Sequence, residues 1–294
     1  MRWIAARFIA LFAFTLLTAC GGQSPAPPSQ NGPALWQVKR GAINGWLLGT
    51  IHVLPRNTGW QTPAITQAMA DADQLVLEAA DIQDPSRTMA LFEQMGRSPS
   101  LPPLDTRVPE KDRPALDQLV RSGGTSTQAL SGYESWAAAM LLSAANQQAL
   151  GVSQEDGVET TLIAAFRKAA KPIGGLETVE RQFGAFDTLP EAAQNRLLIQ
   201  TVHEAKDMKG LYDRILKAWL AGDMAAIARE DQNGQQPDPL VEEAVLVRRN
   251  HEWVKAIETL DGRPFIAVGT GHLTGRDNLI TLLQARGFAV TRVQ

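Results

Sequence analysis

Apolar positions recur along this chain with two different periods, which predict strands near both ends and helices through the middle. Strands are predicted at 35–39, 45–51, 74–78, 171–177, 264–268 and 288–293. Helices are predicted at 64–72, 85–95, 109–121, 133–150, 157–169, 179–188, 190–221 with a break, 239–260 and 276–285. The strand, helix, strand order at 45–78 favours a parallel pair of strands with a crossover helix. The pattern therefore predicts an α/β fold with a central, mostly parallel sheet and a large helical insertion.

The first residues have a different pattern, typical of an exported lipoprotein. Two arginines and no acidic residue precede an uncharged apolar run of 12 residues, 8–19, which is too short to span a membrane but suits a signal peptide. The run ends in Leu17-Thr18-Ala19-Cys20, which resembles the lipobox of bacterial lipoproteins. We therefore predict a signal peptide over 1–19 and acylation of Cys20. A non-acidic residue after that cysteine, here Gly21, is typical of lipoproteins held in the outer membrane, where this chain would face the periplasm.

The next segment, 20–33, is rich in Gly, Ser, Pro, Gln and Asn, and it has no periodic apolar positions. This composition is typical of a flexible tether. No second linker of this kind interrupts the rest of the chain. One folded domain is therefore predicted over 34–294.

Composition narrows the chemistry that this domain can carry out. Cys20 is the chain's single cysteine, so a disulfide, a cysteine-ligated zinc and a cysteine nucleophile are all excluded once it is acylated. Any metal must then be bound by nitrogen and oxygen atoms. The 28 basic and 31 acidic residues are interspersed, and nothing indicates the clustered basic surface of a nucleic-acid-binding protein.

Two nearly identical segments carry the strongest candidate chemistry. Two predicted strands end in these segments, which are Gly49-Thr50-Ile51-His52 and Gly269-Thr270-Gly271-His272. The predicted strand over 74–78 ends on Glu78, and the extended segment over 171–177 ends on Glu177. Ligands of open α/β sheets bind at the carboxyl ends of the strands, where these side chains could meet. Two imidazoles with one or two carboxylates suit a divalent zinc, manganese or cobalt ion. Either glutamate could be the ligand and the other the base.

Arg249, late in a predicted helix, could reach into a cleft to bind a carboxylate or to stabilise an oxyanion. Each of these residues also has a purely structural interpretation. A histidine at a strand end can form a local hydrogen bond, and Glu78 can cap the following helix. Glu177 can be stabilised by the dipole of the helix that starts after it, and Arg249 can lie on a solvated helix face.

Five ordered segments together resemble the TraB/PrgY/GumN family, which includes the ectodomains of the Tiki proteases. The matching segments are residues 46–55, 75–78, 174–178 with Gln182, 248–250 and 268–275. The resemblance implies an α/β domain related to those of erythromycin esterases and of haem-binding lipoproteins of the ChaN type. The Tiki branch is described as metal-dependent peptidases, and its paired histidines and acidic residue correspond to His52, His272 and Glu78. The family often has Gly-X-Asp where this chain has Gly157-Val158-Glu159.

Our leading hypothesis is thus a lipid-anchored, metal-dependent hydrolase, most simply a peptidase. His52, His272 and Glu78 would bind the ion, Glu177 would position or deprotonate water, and Arg249 would anchor the substrate or oxyanion. The alternative is a binding lipoprotein that captures a peptide, haem or another envelope ligand in the same cleft without converting it.

Overall fold

A twisted sheet of six strands forms the centre of the molecule. The structure, a computed structural model, describes residues 32–233 and 238–294. Its strands are β1 (Leu35–Arg40), β2 (Ile43–Thr50), β3 (Leu54–Pro55), β4 (Gln74–Ala79), β5 (Val152–Ser153), β6 (Ile173–Glu177), β7 (Pro264–Gly269) and β8 (Ala289–Arg292). Its helices are α1 (Pro63–Asp71), α2 (Pro85–Gly96), α3 (Arg113–Ser122), α4 (Thr127–Leu130), α5 (Ser135–Ala149), α6 (Val158–Lys168), α7 (Val179–Asp187), α8 (Glu191–Glu204), α9 (Met208–Leu220), α10 (Met224–Asn233), α11 (Pro239–Glu242), α12 (Arg248–Glu258) and α13 (Leu279–Ala285).

The sheet order is β6-β4-β7-β2-β1-β8, and β3 pairs separately with β5. Strands β6, β4, β7 and β2 are mutually parallel, whereas β1 and β8 add antiparallel strands at one edge. The mixed α/β fold with a mostly parallel sheet is therefore as predicted. The predicted pairing of β2 with β4 is wrong, because β7 lies between them and pairs with both.

Helices cover both faces of the sheet. Strand residues alternate between the faces, so Leu48 and Leu77 pack toward α1, α6 and α9, while Leu47 and Val76 pack toward α12 and α13. The central strand β7 is buried along its whole length, as expected for a parallel strand covered on both sides. This layering leaves the strand ends as the place where polar side chains can collect.

A separate helical cluster is inserted beside the sheet, as the periodicity predicted. Helices α2, α3, α5, α7 and α8 contribute to its core. The aromatic rings of Phe92, Trp136 and Phe183 are in mutual contact at its centre, with ring centroids 5.5–6.0 Å apart. The cluster rests against the carboxyl end of the sheet through α7, which follows β6 directly.

Two helix starts differ from the predictions, and one helix was not predicted. Helix α3 begins at Arg113, not at residue 109, because a short 3-10 turn over Glu110–Asp112 comes first. Helix α13 begins at Leu279, since the side chain of Asn278 caps its N-terminus. Helix α10 was not predicted, although the Asp223 carboxylate accepts a hydrogen bond from the Ala226 amide at its start, which is a readable capping signal.

The predicted signal peptide and Cys20 lie outside the described residues. Of the predicted tether, Gly32 and Pro33 are described, and both are buried; the Gln294 side chain donates a hydrogen bond to the Pro33 carbonyl. Two residues of the predicted tether therefore pack against the domain. Across the residues that the structure covers, none of the helices is both long enough and apolar enough to cross a membrane.

Candidate functional site

The two Gly-Thr-X-His segments lie side by side. Strands β2 and β7 are parallel neighbours whose register pairs Thr50 with Gly269. The Thr270 hydroxyl donates a hydrogen bond of 3.0 Å to the Thr50 carbonyl and joins the two turns. Gly49 permits this close approach, because a Cβ there would lie 2.9 Å from the Thr270 hydroxyl. The sheet register therefore brings together histidines that are 220 residues apart in the sequence.

Two glutamates approach from the other side of β7. Glu78 lies near the end of β4, and Glu177 ends β6, the edge strand. The Glu78 Oε1 atom accepts a 2.7 Å hydrogen bond from the Gly269 backbone N–H, which connects this carboxylate directly to the second histidine segment. His52, Glu78 and His272 are all buried. A Cβ on Gly269 would lie 3.1 Å from Glu78 Oε1, 3.6 Å from His52 Nε2 and 3.9 Å from His272 Cδ2, so all three side chains border the same small space.

Arg249 links the two glutamates. It projects from α12, buried, whereas the neighbouring Arg248 is exposed. Its guanidinium donates to Glu78 Oε2 at 2.8 Å and twice to Glu177 Oε1, at 2.5 and 2.9 Å. The Arg249 Nη1 atom is also 3.3 Å from His272 Nε2. Four of the five predicted side chains, Glu78, Glu177, Arg249 and His272, therefore belong to one connected network, and His52 borders the same space beside Gly269.

His52 is held by a residue for which the sequence indicated no defined role. Its Nδ1 atom is 2.7 Å from Glu159 Oε1, and the Thr50 hydroxyl donates to the same oxygen. Burial by itself would lower the pKa of His52, but the Glu159 carboxylate outweighs burial and raises that pKa to about 9. Glu159 Oε2 is buried and has no hydrogen-bond partner among the described residues. One oxygen of this carboxylate thus fixes His52, while the other has no hydrogen-bond partner in the described part of the chain.

His272 has the opposite electrostatic state. Its Nδ1 atom is 2.6 Å from Asn250 Oδ1, and the Asn250 amide nitrogen donates to the Asp277 carbonyl, which orients the amide oxygen toward the ring. Nδ1 is therefore the protonated nitrogen, and Nε2 carries a lone pair. Burial lowers the pKa of His272 to about 3, and Arg249 contributes to this direction. The indole of Trp253 packs against the ring, with centroids 4.2 Å apart.

The two glutamates also differ in their titration. Burial would raise the pKa of Glu78, but Arg249, the two imidazoles and the Gly269 amide together outweigh burial and lower it to about 2. Burial raises the pKa of Glu177, and Arg249 only partly opposes that direction. Glu78 is therefore the firmly ionised carboxylate, and its Oε1 atom is 3.8 Å from His272 Nε2.

A cleft of about 200 Å³ leads from solvent to His52 and Glu78. It runs between α6 and the end of β4 with the 3-10 turn that follows, Ala80–Gln83. Its lining residues are His52, Leu77, Glu78, Ala79, Ile82, Gln83, Gln154, Glu159, Thr160, Ile163 and Arg167. The lining does not include Glu177, Arg249 or His272. The cleft therefore exposes one histidine and two carboxylates to an incoming molecule.

The donor atoms suit a divalent cation in their chemistry. Both imidazoles have Nδ1 engaged by an oxygen of Glu159 or Asn250, the arrangement that orients Nε2 of a metal-ligating histidine. Within residues 32–233 and 238–294, however, no group of three or more His, Cys, Asp or Glu side chains could hold a metal ion as placed. At the present site the guanidinium of Arg249 contacts both His272 and Glu78. Binding of an ion here would therefore require Arg249 to release the His272 contact and His52, whose pKa is about 9, to lose a proton.

Sequence reasoning missed three members of this site. Glu159 was noted only as a departure from Gly-X-Asp, and Asn250 and Gln182 only as parts of matching segments. Gln182 donates to Glu78 Oε2 at 3.1 Å. The signals were present, since Glu159 occupies the first turn of α6 and Asn250 adjoins Arg249, but neither position reveals its partner without the fold.

Comparison with known proteins agrees with this architecture. The chain is 25% identical over 256 residues to the uncharacterized protein YbaP of Shigella flexneri, an alignment that covers 86% of this chain and 92% of that one. It is also 25% identical over 268 residues to YbaP of Escherichia coli strain K12, covering 85% and 97%. No solved structure matches the chain significantly. The TraB/PrgY/gumN family model matches residues 34–292, which include the whole sheet and every site residue described above, and the chain therefore belongs to the TraB/PrgY/gumN family.

Proposed function

We propose that this protein is a metal-dependent hydrolase, most simply a peptidase, which acts in the cleft between α6 and the end of β4. One observation carries the proposal: His52, Glu78 and His272 surround the space beside Gly269 at the inner end of an open cleft, and both histidines have Nδ1 already engaged. A structural role alone does not explain why ionisable side chains from two strand ends, His52 and Glu78, line a cleft of this kind with Glu159 of α6.

His52, His272 and Glu78 would bind the ion through nitrogen and oxygen, which suits zinc, manganese or cobalt. When bound, a divalent ion polarises a substrate carbonyl and lowers the pKa of a bound water. Arg249 would then release its contact with His272 and stabilise the negative charge that develops on the substrate. Its two hydrogen bonds to Glu177 would keep the guanidinium in place. Glu177 serves in this proposal as the anchor of Arg249.

Glu159 is the better candidate for the proton acceptor. It lines the cleft, its Oε2 atom has no partner among the described residues, and it is ionised at neutral pH, since His52 and Thr50 lower its pKa against the effect of burial. Oε2 can therefore take a proton from water that attacks a carbonyl in the cleft. The same carboxylate holds His52 through Oε1, so proton transfer and orientation are coupled in one residue.

Metal binding to the full chain tests the proposal. The protein is treated with a chelator, exchanged into metal-free buffer and titrated with zinc, manganese or cobalt by calorimetry. We expect one equivalent of metal to bind the wild type, with at least about tenfold weaker binding in His52→Ala and in His272→Ala. His251→Ala is the matched control, because His251 is exposed on α12 and away from the cleft. Folded wild type that binds no stoichiometric ion would refute metal dependence.

A second function has its own support, namely capture of a ligand without conversion. Arg249 already pairs with both Glu78 and Glu177, so each of these carboxylates has a cationic partner without an ion. Mass spectrometry of a peptide library incubated with the metal-loaded protein separates the two functions. Cleavage that is lost in Glu159→Gln supports the hydrolase, whereas retained but uncleaved peptides support the binding protein.

We also propose that the chain is anchored in the outer membrane by acylation of Cys20 and faces the periplasm. The lipobox-like Leu17-Thr18-Ala19-Cys20 and the following Gly21 support this location. Labelling with palmitate followed by membrane fractionation tests it. Label and outer-membrane location should both be lost in Cys20→Ala, and an unlabelled wild-type chain would contradict the proposal.

A further inference from the structure

The cleft has opposite charge at its two ends. Its inner end holds the carboxylates of Glu78 and Glu159, and its outer end holds Arg167, which is the single Lys or Arg in the lining. Helix α6 forms one wall, where Glu159, Ile163 and Arg167 recur every four residues and so share one face. A molecule lying along this wall meets acidic, apolar and basic groups in that order.

The charge of Arg167 is not neutralised by the protein. Its guanidinium donates one hydrogen bond, 2.7 Å long, to the neutral side-chain oxygen of Gln83 across the cleft. No carboxylate lies within ion-pair distance of it in the described part of the chain, although most of the other arginines there form salt bridges. A guanidinium carries five N–H donors and binds carboxylates in a forked geometry. Arg167 therefore retains both charge and donors for a ligand.

The middle of the cleft offers groups that match a peptide backbone with apolar side chains. Ile82 and Ile163 form apolar parts of the lining. Gln154 is also part of the lining, and its Nε2 atom is buried without a hydrogen-bond partner among the described residues. An unsatisfied buried donor in a binding cleft favours a ligand carbonyl.

We infer that Arg167 binds a carboxylate of the substrate and so selects peptides that carry a negative charge at a set distance from the reacting bond. Glu159 and Arg167 are eight residues apart, which is about 12 Å along the helix axis. An extended peptide covers that length with about three to four residues. The class of substrate is then a peptide whose free carboxyl terminus, or an acidic side chain, lies three to four residues beyond the carbonyl next to Glu159. This inference names the substrate class of the proposed function. Cleavage of the peptide rests on that function, whereas binding of its carboxylate by Arg167 does not.

Fluorescence anisotropy with the chelator-treated full chain tests the inference without turnover. The probes are amino-terminally fluorescein-labelled peptides of alanine and leucine, three to six residues long, each with a free carboxyl terminus or a terminal amide. A third set carries a terminal amide and a final aspartate, which distinguishes a side-chain carboxylate from the chain terminus. We expect the wild type to bind a carboxylate form at least about tenfold more tightly than the matched amide. Arg167→Gln should abolish that ratio, and Arg167→Lys should restore part of it.

Lys168→Gln is the matched control, since Lys168 is the next residue of α6, is exposed and does not line the cleft. It should keep the wild-type ratio. Equal binding of acid and amide by the wild type, absence of binding of every carboxylate probe, or an unchanged ratio in Arg167→Gln would each overturn the inference. Incubating the same peptides with metal-loaded protein separates the two proposals: a carboxylate preference without cleavage refutes the hydrolase and leaves the Arg167 subsite standing.

Discussion

At the scale of single residues, the site is organised by the partners of its two histidines. His52 faces the carboxylate of Glu159 and His272 faces the amide of Asn250, so two rings of the same kind have pKa values on opposite sides of neutrality. A carboxylate stabilises an imidazolium, whereas a buried amide does not compensate the cost of burying that charge. The partner of each ring therefore determines its protonation state in the metal-free protein.

Replacing Glu159 by glutamine should lower the pKa of His52 well below its value of about 9, because burial is then opposed by Glu78 alone among the carboxylates. An NMR titration of the His52 imidazole in the chelator-treated protein measures this. Glu155→Gln is the control, since Glu155 is exposed and does not line the cleft. A His52 pKa that stays near 9 in Glu159→Gln would contradict the assignment of the partner.

Gly269→Ala should disturb the site while leaving the fold intact. The added methyl would lie 3.1 Å from Glu78 Oε1, and the carboxylate would have to move away from the Gly269 amide. We expect a loss of about 1–3 kcal/mol in the free energy of unfolding and at least about tenfold weaker metal binding. Gly174→Ala in β6 is the matched control, because nothing lies within 4 Å of its Cβ position. Wild-type metal affinity in Gly269→Ala would show that the ion binds elsewhere.

At the scale of elements, three local features deliver the side chains. The register of β2 against β7 joins the two glycine-rich turns. A π-helical turn over Glu243–Val247 precedes α12, and Arg249 and Asn250 are both buried after it while Arg248 points to solvent. π-turns are rare in helices and occur often at functional sites, since one extra residue re-aims the side chains that follow. Helix α6 begins directly against the backbone of the first histidine segment.

This last contact makes Gly157 a sensitive position. The Val158 amide donates to the Ile51 carbonyl, and a Cβ on Gly157 would lie 2.1 Å from the His52 carbonyl oxygen. Gly157→Ala must therefore push α6 away from His52, which also separates the His52 ring from Glu159 on that helix. We expect the free energy of unfolding to fall by about 2 kcal/mol or more, as measured by urea denaturation.

Gly184→Ala supplies the comparison for this helix–strand contact. Gly184 lies inside α7 with nothing within 4 Å of its Cβ position, so alanine should be neutral or stabilise by about 0.5–1 kcal/mol. A Gly157→Ala protein as stable as the wild type would mean that α6 does not rest on the His52 backbone.

At the scale of the whole molecule, the buried network should make stability depend on pH in both directions. The folded pKa of His52 is above its ordinary value of 6.5, so its contribution is complete below pH 6.5 and is lost as the pH rises toward 9. The folded pKa of His272 is below 6.5, so its contribution is lost as the pH falls toward 3, and that of Glu78 is lost between 4.5 and about 2. The metal-free protein should therefore be most stable near pH 6.5.

The alkaline side of this profile gives the cleaner measurement, because many carboxylates contribute on the acid side. The free energy of unfolding of the chelator-treated full chain, measured by urea denaturation, should decrease between pH 6.5 and 9 by an amount on the order of 1–3 kcal/mol. In His52→Gln this decrease should largely disappear, since glutamine does not titrate. An unchanged alkaline slope in that variant would assign the effect to other groups.

Much of this architecture could be predicted from local patterns. The apolar runs at β1, β2, β4 and β7 and the longer helices were located to within a few residues, because burial requires apolar side chains in the strands and imposes a period on the helices. Helix α10 and the short β3 and β5 strands were missed, as was the place of β7 between β2 and β4. Strand order depends on contacts across almost the whole chain, which no local period records.

The sequence by itself determined which residues could take part in chemistry: His52, Glu78, Glu177, Arg249 and His272 at strand ends or on a helix. It also predicts the acylation of Cys20. Only the tertiary structure decided how they pair. Glu177 binds Arg249, Glu159 holds His52, and Asn250 holds His272. Arg167, at the outer end of the cleft, donates to the neutral side chain of Gln83. The physical reason is that residue type and local period set what a side chain can do, whereas charge compensation and proton position depend on neighbours that the sheet register brings within hydrogen-bond distance.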